Sequence, residues 1–105
     1  MKVLFDACTP RPLRKYLPGH MIHTAQEMGW GRLKNGALLR KAEDQFDAFI
    51  TTDQNLKYQQ DTARERLAIL VLPTNAWPVI RSKAHEIAAE LAKLKPADFI
   101  ELRWD

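Results

Sequence analysis

Two aspartates stand where short apolar segments end. Asp6 directly follows the apolar residues 3–5, and Asp53 closes a polar stretch after the apolar residues 48–50. Such segments are typical of buried strands that run into loops. In an open parallel sheet, ligands bind beyond the carboxyl ends of strands, where the winding direction reverses. If these two strands are neighbours, Asp6 and Asp53 face one crevice.

Two carboxylates in one crevice favour a divalent cation. Mg²⁺ and Mn²⁺ prefer oxygen ligands, and Mg²⁺ is commonly held by one or two carboxylates while water and substrate phosphate complete its shell. Asp6 and Asp53 are the predicted metal ligands, and Asn35, near a helix start, is a third candidate catalytic residue that adds a neutral oxygen. Such a cation activates water and neutralises a scissile phosphate. Three residues are predicted to hold the carboxylates in place: Thr51, Thr52 and Asn55.

Charge is segregated along the chain. The net charge is +3, yet residues 7–42 contain seven basic residues and only Glu27 as an acid, whereas residues 43–105 contain more acids than bases. This asymmetry indicates a face that meets a polyanion, although an unevenly charged solvated surface gives the same pattern. The predicted nucleic-acid-binding residues are Arg11, Arg14, Lys15, Arg32, Lys34, Arg40 and Lys41.

The first half of the chain predicts three strands separated by helices. Thr9 is predicted to cap a helix that Pro10 begins and Pro18 ends. A second strand is predicted over residues 20–23, followed by a helical turn over residues 24–28. Asn35 is predicted to cap the helix that leads into the strand before Asp53, with a role as a ligand second.

The second half predicts the rest of the sheet. A loop or irregular helix is expected over residues 55–66, and residues 67–72 are uniformly apolar, as in a central parallel strand. A long helix is predicted from Pro78 to Pro96, with one apolar stripe. The tail alternates and predicts an edge strand, which could also serve a homodimer.

These elements predict one α/β domain over residues 1–105. The alternation of strands and helices favours a three-layer α/β/α sandwich with a mostly parallel sheet of about five strands, including a C-terminal edge strand. A strand order of 2-1-3-4 would make the strands before Asp6 and Asp53 neighbours. No apolar run has the length of a membrane span, so we expect a cytoplasmic protein without membrane partners. The lone Cys8 agrees with a reducing compartment and is expected to be a small buried residue.

Several motifs, in this order and spacing, resemble the short bacterial PIN-like proteins, which are related to toxin ribonucleases. The resemblance covers roughly residues 1–95, and its most specific piece is Thr-x-Asp at Thr51 and Asp53. The motifs are Leu4-Phe5-Asp6, Leu17-Pro18-Gly19-His20, Glu27-Met28-Gly29-Trp30, Asn35-Gly36-Ala37-Leu38-Leu39 and Phe49-Ile50-Thr51-Thr52-Asp53.

The resemblance implies a Mg²⁺- or Mn²⁺-dependent endoribonuclease, with RNA as substrate and an antitoxin protein as partner. Asp6 matches the first acid of the family's cluster and Asp53 a later one. Two features depart from the pattern: Ala7-Cys8 replace the Glu-Asn that often follows the first acid, and Asn35 replaces an acid. Possible substitute acids are Glu27, Glu43 and Asp61.

The departures leave two other functions open. A PIN-like fold that binds nucleic acid or a protein without turnover needs no complete acidic cluster. A phosphoacceptor domain of receiver type also places acids at the ends of strands one and three. Receivers, however, carry an adjacent acidic pair after strand one and a lysine at the end of strand five, whereas this chain has Ala7 and Cys8 and places Lys95 at a predicted helix end.

Overall fold

The computed structural model describes residues 1–56 and 66–104, and within them the chain forms a five-stranded, all-parallel sheet. The strand order is β2-β1-β3-β4-β5, which confirms the predicted arrangement of the first four strands. The predicted boundaries of the first four strands are correct to within about a residue, whereas the last strand ends at Glu101 instead of continuing through Trp104. The strands are β1 (Lys2–Phe5), β2 (Met21–Thr24), β3 (Ala48–Thr51), β4 (Ala68–Val71) and β5 (Phe99–Glu101).

The winding direction reverses between β1 and β3. From β1 the chain passes to β2 on one side, and from β2 it crosses to β3 on the other side of β1. Phe5 of β1 pairs with Ile50 of β3, and the N–H of Asp6 donates to the carbonyl oxygen of Ile50 at 3.2 Å. The carboxyl ends of β1 and β3 therefore lie side by side at the point where a parallel sheet leaves room for a ligand.

Both faces of the sheet are covered, which makes three layers. Alternate strand residues point to opposite faces, so Val3, Phe5 and Ile50 belong to one core while Leu4 and Phe49 belong to the other. Each core is completed by helices on its own side. This arrangement confirms the predicted α/β/α sandwich.

The helices are shorter and more broken than predicted. A 3₁₀ helix (Arg11–Tyr16) and the helices α2 (Trp77–Ser82) and α3 (Ala84–Lys93) cover one face, while α1 (Asn35–Gln45) covers the other. The single long helix predicted from Pro78 is wrong. It is interrupted at Lys83, whose N–H donates to the carbonyls of Ile80 and Arg81 instead of continuing the α-helical pattern.

The tail confirms the predicted edge strand. β5 pairs with β4 in parallel. Ile100 of β5 and the following Leu102 and Trp104 pack against the core that contains the side chains of β1 residues 3 and 5. In the part of the chain that the structure describes, no helix has the length and apolar character needed to cross a membrane. The loop or irregular helix predicted over residues 55–66 falls largely outside the described residues, as does Asp61.

Candidate functional site

Asp6 is held rigidly at the carboxyl end of β1. The side chain is only 3% exposed, and its Oδ1 accepts the N–H of Thr9 at 3.0 Å. The Thr9 hydroxyl lies 2.6 Å from the same oxygen and 3.0 Å from the carbonyl oxygen of Ile50. The prediction that Thr9 caps a helix is wrong, because Pro10 occupies the cap position and Thr9 instead donates to Asp6. An Asp three residues before a Thr is the sequence signal for this turn.

Thr51 links the two aspartates. Its side chain is fully buried at the end of β3, and its hydroxyl donates to Asp6 Oδ2 at 2.6 Å. The hydroxyl oxygen of Thr51 also accepts the backbone N–H of Asp53 at 3.0 Å. One hydroxyl therefore orients the carboxylate of one aspartate and the backbone of the other, which is the supporting role that the sequence assigned to Thr51.

Asp53 is half-buried and has its own partners. Its Oδ1 accepts the N–H of Asn55 at 2.9 Å, and its Oδ2 accepts the side-chain amide Nδ2 of Asn35 at 3.0 Å. Asn35 is the first residue of α1, while Lys34 holds the cap position and makes no side-chain capping bond. The predicted capping role of Asn35 is therefore wrong. With the amide nitrogen turned to Asp53, the amide oxygen of Asn35 is left for another partner.

The three candidate catalytic residues line one cavity of about 450 Å³. Asp6, Asp53 and Asn35 form part of its polar wall, together with Thr52 and Asn75. Apolar and aromatic side chains form the rest of the lining, and Lys34 adds a positive charge to it. The remaining lining residues are Ala7, Cys8, Ala25, Trp30, Leu33 and Leu38.

The described residues contribute two carboxylates to this cavity, those of Asp6 and Asp53. Among residues 1–56 and 66–104, no group of three or more His, Cys, Asp or Glu side chains is placed to hold a metal ion. Glu27 does not substitute, because it reciprocally caps the turn at Thr24 and pairs with Arg14. Glu43 accepts the backbone N–H groups of Arg66 and Leu67 instead of lining the cavity.

The electrostatics of Glu27 follow from those contacts. The hydrogen bond from Arg14 and the backbone N–H of Thr24 lower the pKa of Glu27 from the ordinary 4.5 to about 2. Glu27 is therefore ionised across the physiological range and neutralises one of the seven predicted RNA-binding cations.

The basic residues are divided between the two outer layers. Arg11, Arg14 and Lys15 lie on the 3₁₀ helix, whose buried Leu13 packs into the same core as α2 and α3. Arg40 and Lys41 lie on α1, which packs on the other face, and the Nζ of Lys41 is 5.7 Å from the ring centroid of Trp30. Arg32 is exposed in the turn before α1, and Lys34 alone of the seven lines the cavity.

Gln54 is a residue that the sequence reasoning missed. Its Nε2 donates to the carbonyl oxygens of Thr52 and Leu72, which joins the loop after β3 to the end of β4. We call this pair of bonds the Gln54 bridge. Asn75, in the loop that follows β4, lines the cavity, so the bridge ties two loops of the same site together. A glutamine beside an aspartate gives no distinctive sequence signal for such a role.

Cys8 and Trp30 both border the cavity. The expectation that Cys8 is buried is wrong: it is exposed beside Asp6, because the turn over residues 6–9 points it away from both cores. Trp30 packs edge-on against Phe46 with ring centroids 6.2 Å apart, as expected for a tryptophan at the edge of a core.

Comparison of the chain with protein-family models, with curated proteins and with solved structures found no match.

Proposed function

We propose that this chain is a PIN-like, divalent-metal-dependent endoribonuclease. The observation that carries the proposal is the convergence of Asp6, Asp53 and Asn35 on one cavity at the switch point between β1 and β3. The resemblance of the motifs around these residues supplies the reaction type, and the cavity supplies a place for it.

The donor set fits the minimum that Mg²⁺ or Mn²⁺ requires. A carboxylate oxygen accepts about two hydrogen bonds. Among residues 1–56 and 66–104, Asp6 Oδ2 accepts one bond and so does each oxygen of Asp53, so three carboxylate oxygens have acceptor capacity that these residues do not use. The amide oxygen of Asn35 adds a neutral ligand. Mg²⁺ bound by one or two carboxylates leaves the remaining positions to water and substrate phosphate.

Each residue has a defined task in this proposal. Asp53 and Asp6 hold the cation, and Thr51 fixes their relative positions through its hydroxyl. The cation, when bound, polarises the scissile phosphate and offsets its charge. Lys34 at the cavity wall attracts the phosphate backbone, while Trp30 and Leu33 add apolar lining to the same cavity.

The proposal is tested by cleavage of single-stranded RNA in the presence and absence of Mn²⁺. We expect Asp53→Asn to lower the Mn²⁺-dependent rate by at least about 100-fold, because it removes a ligand charge from a site with only two. Asp44→Asn is the matched control, since it makes the same chemical change at an exposed position of α1 outside the cavity and should retain the rate. Equal rates in the two variants, or cleavage that persists in chelator, would contradict the proposal.

A second function, nucleic-acid binding without turnover, is favoured by one observation. Three hydrogen bonds hold the Asp6 carboxylate, which is almost fully buried, so this carboxylate stabilises the turn and the end of β3 whether or not a cation binds. Binding of single-stranded RNA that weakens with salt, survives Asp53→Ala and is never followed by cleavage would select this function.

The phosphoacceptor alternative lacks its lysine. Lys95 precedes β5 and lines a separate cavity with Met1, Asp47 and Ala68, which stand at the amino ends of strands. Lys95 therefore lies at the amino ends of the strands, whereas Asp53 lies beyond their carboxyl ends. From there Lys95 cannot neutralise a phosphorylated aspartate at position 53.

A further inference from the structure

The chain contains one Asn-Gly sequence, and it lies inside the candidate site. Asn35 and Gly36 are the first two residues of α1, and Asn35 both lines the cavity and contacts Asp53. We propose that Asn35 is a self-modification site: deamidation at Asn35-Gly36 converts the amide to a carboxylate and gives the cavity its third acid.

The reaction needs only water. The backbone nitrogen of Gly36 attacks Cγ of Asn35, the Cγ–Nδ2 bond breaks, and ammonia leaves with the proton that Gly36 loses. The resulting cyclic imide is opened by one water molecule. If water attacks Cγ, the bond between Cγ and the Gly36 nitrogen breaks and aspartate forms. If water attacks the backbone carbonyl carbon of residue 35, the bond from that carbon to the same nitrogen breaks and isoaspartate forms. In sum, one water is consumed and one ammonia released, with no change of oxidation state.

The position of the pair at the helix start makes the nitrogen accessible. The first N–H groups of an α-helix have no intrahelical acceptor, and in α1 the helical pattern begins with the N–H of Leu38 donating to Lys34. Gly36 is the second residue, so its N–H is one of the groups without a helical partner. Helix ends also fray, which lets Asn35 leave the helical geometry for the time the imide needs to close.

Gly36 presents no steric barrier to this reaction. It has no side chain beside the attacking nitrogen, and the space that a Cβ would occupy contains no atom within 4 Å. That open space also means that alanine fits at this position. The site thus offers a variant that hinders ring closure without displacing a neighbour.

The product changes what the cavity can bind. The amide nitrogen of Asn35 now lies 3.0 Å from Asp53 Oδ2, so an aspartate there brings two carboxylates into contact range and removes the hydrogen bond between them. Like charges so close are stabilised by a shared cation. Affinity for a divalent cation increases with the number of charged ligands. The consequence for cation binding rests on the proposed function, whereas the covalent change does not.

The covalent step is tested by ageing the full chain at mildly alkaline pH and mapping its peptides by mass. Trypsin cleaves after Lys34 and Arg40, and the peptide between them contains Asn35 as its sole side-chain amide. We expect this peptide to gain the mass of an amide-to-acid conversion with time, with aspartate among its products. Asn75, exposed before Ala76, should remain an amide, and Gly36→Ala should slow the conversion at least about tenfold. No conversion at Asn35, equal conversion in Gly36→Ala, or isoaspartate alone would overturn the proposal.

The consequence is tested by Mn²⁺ binding, with the rise in melting temperature as readout. Asn35→Asp and the aged chain should both bind Mn²⁺ at least about tenfold more tightly than the fresh chain, while aged Gly36→Ala should match the fresh protein. An unchanged affinity in Asn35→Asp would overturn the third-acid role. Tighter binding without RNA cleavage would support this inference and refute the ribonuclease proposal, so the two failures are distinguishable.

Discussion

Replacing Thr51 by valine removes the hydroxyl that joins the two aspartates while keeping the shape of the side chain. The hydroxyl donates to Asp6 Oδ2 at 2.6 Å and accepts the N–H of Asp53 at 3.0 Å. A hydrogen bond to a charged group contributes about 1.5–3 kcal/mol, and the carboxylate of Asp6 is too deeply buried for water to replace the lost donor. The second bond is half-buried and adds about 0.5 kcal/mol or more. We therefore expect Thr51→Val to lower the free energy of unfolding by about 2–3.5 kcal/mol.

The assay is urea unfolding at neutral pH, followed by circular dichroism. Thr52→Val is the matched control, because it makes the same change one residue later at a half-buried position whose hydroxyl is not a donor to Asp6. We expect the control to cost less than about 1 kcal/mol. Equal losses in the two variants would refute the reasoning, since they would show that the Thr51 hydroxyl is no more important than an ordinary loop hydroxyl.

Two further predictions concern Glu27 and Gly29. Because the pKa of Glu27 is lowered from 4.5 to about 2, its contacts with Arg14 and Thr24 stabilise the fold above pH 4.5 and are lost as the pH falls towards 2; Glu27→Gln should flatten this part of the unfolding free energy against pH, and an unchanged profile would contradict it. Gly29 has a φ of +78°, so Gly29→Ala should destabilise the fold by about 1 kcal/mol. Gly36 lies in α1 with open space where a Cβ would be, so Gly36→Ala should stabilise the fold by about 0.5–1 kcal/mol. Thermal unfolding compares the two variants, and equal shifts in melting temperature would refute the role of the positive φ at Gly29.

The central strands β1, β3 and β4 were predictable because they are buried on both faces. Residues 67–72 form an unbroken apolar run, and the structure buries every residue of β4 within it. The alternation of strands and helices predicts crossovers and a parallel sheet, but it does not by itself fix the strand order. The order 2-1-3-4 is a hypothesis that the structure confirms, and this order places the carboxyl ends of β1 and β3 side by side.

The break at Lys83 could not be read from the sequence. The apolar stripe runs through Ile80, Ala84 and Ile87 at helical spacing, and all three are buried in the same core. No glycine or proline marks the interruption. Only the fit of the two short helices against the sheet decides where the pattern stops, and that is a tertiary effect.

The hydrogen-bonding roles around the site were harder to predict than its position. Thr9 and Asn35 both have the residue types that cap helices, and both sit beside a helix start. Each instead donates to an aspartate, Thr9 to Asp6 and Asn35 to Asp53. A carboxylate is a stronger acceptor than the neutral alternatives. The carboxylate of Asp6 is only three residues from Thr9, whereas that of Asp53 is brought to Asn35 by a strand 18 residues further along the chain.

The Gln54 bridge makes the exits of β3 and β4 move as one piece. The Gln54 amide donates to the carbonyl oxygens of both Thr52 and Leu72, so displacing either loop strains a hydrogen bond to the other. Asn75 and Asp53 line the same cavity, so a change in chain length just after Leu72 is expected to break the Gln54 bridge and to alter the loop that contains Asp53. The neutral Gln54 side chain thus adds to the backbone bond in which the N–H of Leu72 donates to the carbonyl oxygen of Thr51 at 2.8 Å.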